Sequence, residues 1–123
     1  MVKILIIDDS EVIRNLLTEY LSDLGYQVDS AFDGQDGIEK ALSGDYGLVL
    51  CDIHMPRKNG FEVLRAVTAT KPDMMFVMTD SLPDKLSELA QQAGAYCCLK
   101  KPFDLTEVKT VVKKLLSEIR AYE

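Results

Sequence analysis

One pattern constrains the fold of this 123-residue chain more than any other. Its hydrophobic period changes from strand-like to helix-like five times in succession. Lys3 to Ile7 (KILII) is a short, isoleucine-rich apolar run. Val12, Ile13, Leu16, Leu17, Tyr20, Leu21 and Leu24 then recur at helical spacing, and Gly25 supplies a stop. Gln27 to Phe32 alternates polar and apolar residues, as a strand wet on one side does. Ile38, Ala41 and Leu42 mark a short helix closed by Gly44. Leu48 to Cys51 is the third strand. Phe61, Leu64 and Val67 define a helix that ends before Lys71-Pro72. Met74 to Met78 is the fourth strand. Leu86, Leu89, Ala90 and Ala93 form the fourth helix, with Pro83 near its first turn and Gly94 after it. Ala95 to Leu99 is the fifth strand. Asp104 and Glu107 stand at an acidic variant of the capping-box spacing. They open a last helix with Leu105, Val108, Val112, Leu115 and Ile119 on one face.

Five βα units in a row predict an α/β fold, a parallel sheet with helices on both faces. Strands one, three and four are almost wholly apolar, as central parallel strands must be. Strand two carries Gln27 and Asp29 and reads as an edge. The order 2-1-3-4-5 satisfies this, a flavodoxin-like (βα)5 three-layer sandwich. No linker, repeat or low-complexity tract divides residues 1–123, which are expected to form one domain.

Composition narrows the function. With 47% hydrophobic and 28% charged residues, the chain can bury a core and stay soluble. The net charge of −6 disfavours direct nucleic-acid binding, which wants a basic face, and permits a cation site. No apolar run is long enough to span a bilayer, and only four apolar residues separate Lys3 from Asp8, too few for a signal peptide. A cytoplasmic location is expected. Cys51, Cys97 and Cys98 lack C-x-x-C spacing and are expected to be buried free thiols.

The strand ends carry the chemistry. In a parallel sheet the C-terminal ends share one edge, where ligands bind. Strand one is followed by Asp8 and Asp9, strand three by Asp52, strand four by Thr79, and strand five by Lys100, Lys101 and Pro102. Singly, each has a bland reading. Asp8-Asp9 could cap the first helix, Lys100-Lys101 could be a solvated pair, and a lone His54 is a weak metal ligand. Together they place three carboxylates, a hydroxyl and an ammonium on one lip. Carboxylates that close repel, so either one is protonated or a cation sits among them. Hard oxygen donors suit Mg²⁺, and a carboxylate beside a dication can attack phosphorus to give an aspartyl phosphate. Asp52, central and alone at its strand end, is the candidate nucleophile. Thr79 and Lys101 are placed to meet the dianionic phosphoryl group.

The motifs IIDDS (Ile6 to Ser10), CDIHMPRKNG (Cys51 to Gly60), FVMTD (Phe76 to Asp80) and LKKPF (Leu99 to Phe103) make the chain resemble the receiver domain of two-component response regulators, of the single-domain, chemotaxis-regulator-like type. The resemblance covers essentially the whole chain. It implies that Asp52 is the phosphoacceptor. Asp8 and Asp9 would bind Mg²⁺, Asp9 directly and Asp8 mainly through water, and the backbone carbonyl of His54 would add a ligand. Thr79 would be the switch hydroxyl, Lys101 the phosphate-binding lysine, and Lys101-Pro102 a cis peptide. A sensor histidine kinase or phosphotransfer protein would donate the phosphoryl group, and the output would be binding to an unidentified downstream protein. Dimerisation on phosphorylation is left open. Catalysis would be confined to the domain's own phosphoryl transfer and hydrolysis.

Two positions depart from the family pattern. Asp80 stands where a small residue usually follows the switch hydroxyl, and is expected to repel an incoming phosphoryl group or to order water beside it. Cys98 stands where a switch aromatic is usual, three residues before Lys101, with Tyr96 expected on the same strand face. These keep open a second class of function, a receiver-like interaction module independent of phosphorylation. A third class, a Mg²⁺-dependent phosphatase of the haloacid-dehalogenase type, lacks its D-x-D signature, since Ile53-His54 follows Asp52. A flavin or nucleotide binder is disfavoured by DDSEV in place of a Gly-rich loop after strand one.

Overall fold

The computed structural model describes residues 2–81 and 84–121, the side chains of residues 118–121 excepted. Among these residues five strands and five helices alternate: β1 (Lys3–Ile7), α1 (Glu11–Asp23), β2 (Gln27–Ala31), α2 (Gly34–Ser43), β3 (Leu48–Asp52), α3 (Gly60–Thr70), β4 (Met75–Asp80), α4 (Lys85–Gln92), β5 (Cys97–Lys100) and α5 (Leu105–Ala121). The sheet is parallel throughout, in the order β2-β1-β3-β4-β5. Pro83 and the side chain of Ile119 lie outside the described residues.

Alternation along the central strands divides the core in two. Leu5, Ile7, Val49, Cys51, Phe76 and Met78 pack with α2, α3 and α4. Ile4, Ile6, Leu48, Leu50 and Val77 point the other way, onto Leu17 and Leu21 of α1 and Val108, Val112, Leu115 and Leu116 of α5. Both faces are covered, so the central strands carry polar residues only at their ends. β2 is half exposed along its length, as its polar residues predicted.

The helices start and stop for local reasons. Asn59 caps α3 and forms a reciprocal capping box with Glu62. Asp33 caps α2, and Asp84 caps α4 with Ser87 closing the box. Gly25 and Gly94, with φ of 97° and 114°, follow α1 and α4 in the left-handed region that glycine adopts without steric cost. Asp104 accepts from the Thr106 amide at 2.9 Å and so caps the second residue of α5.

Several strand boundaries differ from the hydrophobic pattern. β3 and β4 continue through Asp52 and through Thr79-Asp80, because ladder pairing does not depend on side-chain polarity: Asp52 pairs in register with Thr79, and Asp80 with Lys100. β5 begins only at Cys97. On α1, Val12 (74% exposed) and Leu16 (40%) face solvent, and the buried stripe is narrower than the apolar spacing suggested.

Candidate functional site

Side-chain parity assembles the site. On β3, Leu48 and Leu50 face α1 and α5, and by a period of two so does Asp52. On β4, Val77 shares that face and Thr79 follows it; on β1, Ile4 and Ile6 lead to Asp8; on β5, Cys97 and Leu99 lead to Lys101. Four residues far apart in sequence thus reach the same edge on the same side of the sheet. Asp8, Asp52 and Thr79 are buried at 1%, 5% and 3% exposure, while Asp9 is exposed.

The carboxylates meet as expected. Asp8, Asp9 and Asp52 each offer an oxygen, and these oxygens lie within 4.8 Å of one another. Two features of the structure bear on their repulsion. The Lys101 ammonium sits 2.8 Å from Asp8 Oδ2 and 3.5 Å from Asp52 Oδ2. Asp52 is also pushed up to about 6 from its ordinary 3.8, first by burial and then by the charge of Asp8, against the pull of Lys101. Burial alone would lower the Lys101 ammonium, but its hydrogen bond to Asp8 and the two carboxylate charges carry it upward. Three carboxylates, two buried and one exposed, with no thiolate or imidazole among them fit a hard dication such as Mg²⁺.

Asp8 does not cap α1. Ser10 does, with its hydroxyl accepting from the Ile13 amide at 3.3 Å. Asp8 instead holds the loop, accepting from the Ser10 amide at 2.9 Å through Oδ1 while Oδ2 faces Lys101. Arg14 donates to the Asp8 carbonyl at 2.8 Å. Lys101 is therefore no solvated surface lysine, and the peptide bond after it, to Pro102, is cis as the resemblance implied.

The loop after β3 is folded tightly back on the site. The Gly60 amide donates to the Ile53 carbonyl at 2.7 Å and the Ile53 amide to the Thr79 carbonyl at 3.0 Å. A Cβ at position 60 would run into the Asp52 carbonyl oxygen and come within 2.8 Å of both Ile53 Cα and Met78 Cε. Arg57 adopts a left-handed φ of 69° and donates to Asp33 Oδ2 at 2.8 Å, clasping this loop to the start of α2. His54 directs its imidazole away from the acid triad: Nε2 lies 3.1 Å from Asp84 Oδ2 and 3.5 Å from Asp80 Oδ1.

The two departures turn out differently from expectation. Asp80 follows Thr79 in the strand and so projects to the opposite face, with Met78; it is fully buried beside His54. By strand parity it lies on the face opposite Asp52 and Thr79. Cys98 packs against the core on the α4 side and lines a cleft with Asp80, Asp84 and Ser87. Tyr96 precedes β5 and is not its neighbour on that face. Its ring, 39% exposed, lies 5.7 Å from the Lys114 ammonium on α5. The three cysteines are free; Cys51 is buried and the other two are partly buried. Burial pushes the Cys98 thiol up to about 11. Among the described residues no helix is long and apolar enough to cross a membrane.

The Arg57–Asp33 clasp and the His54–Asp80–Asp84 cluster were not anticipated. The D-x-x-S spacing of Asp84 and Ser87 marks a helix start, but nothing in one dimension aims His54 at it.

Residues 4–113 match the family described as the response regulator receiver domain. The chain is 34% identical over 121 residues to the transcriptional regulatory protein HprR of Escherichia coli, covering 97% of this chain and 53% of HprR. It is 37% identical over 119 residues to CiaR of Streptococcus pneumoniae, covering 94% and 52%. It thus spans about half the length of these relatives. Among solved structures it is similar to a receiver domain protein of Methanospirillum hungatei (TM-score 0.95, 27% identity, 100% of this chain and 99% of that one). It is also similar to the response regulator TrrA of Thermotoga maritima, solved in complex with Mg²⁺ and BeF (TM-score 0.86, 37% identity, 94% and 99%).

Proposed function

Because the chain belongs to the response regulator receiver domain family, we propose that it is a Mg²⁺-dependent phosphoacceptor switch with Asp52 as the phosphorylated residue. The observation that carries the reading is the position of Lys101, whose ammonium lies against both Asp8 and Asp52 at the buried end of the sheet. Oxygens of three carboxylates, Asp8, Asp9 and Asp52, converge at that point.

The residues divide the work. An Asp52 oxygen attacks the phosphorus of a phosphohistidine on a sensor kinase or phosphotransfer protein. An O–P bond forms, the P–N bond breaks, and the leaving imidazole takes up a proton. Lys101 stays within reach of Asp52 and offsets charge on the phosphoryl oxygens. The Thr79 hydroxyl, paired in register with Asp52, can donate to the same group. Asp8, Asp9, Asp52 and the His54 carbonyl would hold Mg²⁺, whose charge would offset the repulsion between a phosphoryl dianion and the three carboxylates. The domain turns over only its own phosphoryl group. With Thr79 on β4 beside β5, the signal leaves through α4, β5 and α5 to a partner protein, and the acidic balance of the chain favours a protein surface over nucleic acid.

Intact-mass measurement after incubation with acetyl phosphate and Mg²⁺ tests this. A gain of about 80 Da, the mass of HPO₃, is expected in the native chain, absent in Asp52→Asn and absent with chelator. An unmodified chain under both acetyl phosphate and a phosphorylated kinase would leave the phosphorylation-independent interaction module as the better reading.

A further inference from the structure

A second cluster of metal-ligating side chains lies outside the acid triad. His54 Nε2, Asp80 Oδ1 and Asp84 Oδ2 come from three segments: the loop after β3, the last residue of β4, and the N-cap of α4. Their ligand atoms all lie within 4.8 Å of one another. Asp84 serves two purposes with two oxygens. Its Oδ1 accepts from the Leu86 amide at 2.9 Å and caps the helix, leaving Oδ2 to face the imidazole. Asp80 is fully buried, whereas His54 and Asp84 reach solvent. Asp80 and Asp84 border a cleft of about 300 Å³ whose lining also includes Ser87, Glu88, Cys98 and Lys100, room enough for water.

We propose that His54, Asp80 and Asp84 form a second cation site, selective for a first-row transition dication such as Zn²⁺ over Mg²⁺. The donor set carries the choice. One imidazole nitrogen with two carboxylates suits borderline ions, whereas the acid triad offers oxygen alone. Three protein ligands beside a wet cleft leave a position for water, the pattern of an open zinc site. Three carboxylates, Asp80, Asp84 and Glu88, against the Lys100 ammonium leave the cleft with two net negative charges, so a dication is favoured there. His54 belongs to both sites through different atoms, its imidazole here and its backbone carbonyl toward Mg²⁺. An ion at this second site would tie the β3–α3 loop and the residue after Thr79 to the start of α4.

The test uses the full chain with Mg²⁺ in millimolar excess to occupy the acid triad. Zn²⁺ is titrated calorimetrically, and the ¹⁵N signals of the imidazole are followed by NMR. His54 is the only histidine, so its signals need no assignment. One equivalent of Zn²⁺ is expected to bind and to shift the Nε2 resonance. Affinity should fall at least tenfold in His54→Gln and in Asp84→Asn, which keeps the helix cap, and stay within twofold in Asp9→Asn. Retention of binding in His54→Gln with loss in Asp9→Asn would place the ion in the acid triad and overturn the proposal. An unmoved Nε2 signal at saturating Zn²⁺ would overturn it as well, leaving the cluster as contacts of the His54 imidazole with the two acids.

Discussion

Replacing Asp52 with asparagine should stabilise the metal-free protein at neutral pH. The Asp52 carboxyl is 5% exposed, beside Asp8 and near Asp9, and burial with these charges pushes it up to about 6 from 3.8. The folded chain therefore binds this proton more tightly than the unfolded chain. The Asp52 contribution to stability is intact below about pH 4 and drains away as the pH rises through about 6, leaving the ionised form disfavoured by about 3 kcal/mol. Asparagine has nearly the same shape and nothing to ionise. In chelator at about pH 7, Asp52→Asn should exceed the native chain by up to about 3 kcal/mol, or roughly 10 °C in Tm for a domain of this size. The gap should close as the pH falls toward about 4, and saturating Mg²⁺ should shrink it by favouring the native carboxylate. Urea unfolding followed by circular dichroism, at several pH values with chelator or with Mg²⁺, measures it. A gap that is absent at neutral pH, or that does not change with pH, would refute the account of Asp52 as a buried acid held against its preference.

Lys101→Met should destabilise the metal-free chain by about 3 kcal/mol, since it leaves Asp8 and Asp52 without the cation between them, and Mg²⁺ should restore part of the loss; chelator and Mg²⁺ melts compare directly. Gly60→Ala should cost about 2 kcal/mol or more in urea unfolding, because the new methyl meets backbone at Asp52 and Ile53 that cannot step aside. At position 57 the left-handed backbone outweighs the side chain. The Arg57 side chain is 67% exposed, so its ion pair contributes little, and Arg57→Gly should be more stable than Arg57→Ala by about 1 kcal/mol in the same assay. Val12→Ser, on the outer face of α1, should change stability by less than about 0.5 kcal/mol, in contrast to a substitution at Leu17 or Leu21.

The alternation of periods carried most of the fold. A parallel sheet of five βα units has few orders that bury the apolar strands and leave Gln27 and Asp29 at an edge, so the strand order could be read from polarity. The ends of elements were less legible. Asp52, Thr79 and Asp80 looked like loop because they are polar, yet the ladder runs through them. The site residues were legible for a related reason. A polar residue that ends an apolar strand must lie at the sheet edge, and all parallel strands end on the same edge.

What one dimension could not supply was direction. Thr79 and Asp80 are neighbours in sequence and were expected to act on the same phosphoryl group. The pleat sends one toward Asp52 and the other to the far side, against His54 and Asp84. Tyr96 and Cys98 were expected to share a face by a period of two, but the strand begins only at Cys97, and the rule does not reach back to Tyr96. That Lys101 pairs with Asp8 as well as with Asp52 was likewise visible only in the structure. Sequence determined which chemical groups reach the active edge, because hydrophobic burial leaves polar residues nowhere else to go. Only the tertiary structure decided which of them touch, because contact depends on pleat, register and loop path, and these are set by packing across the whole sheet.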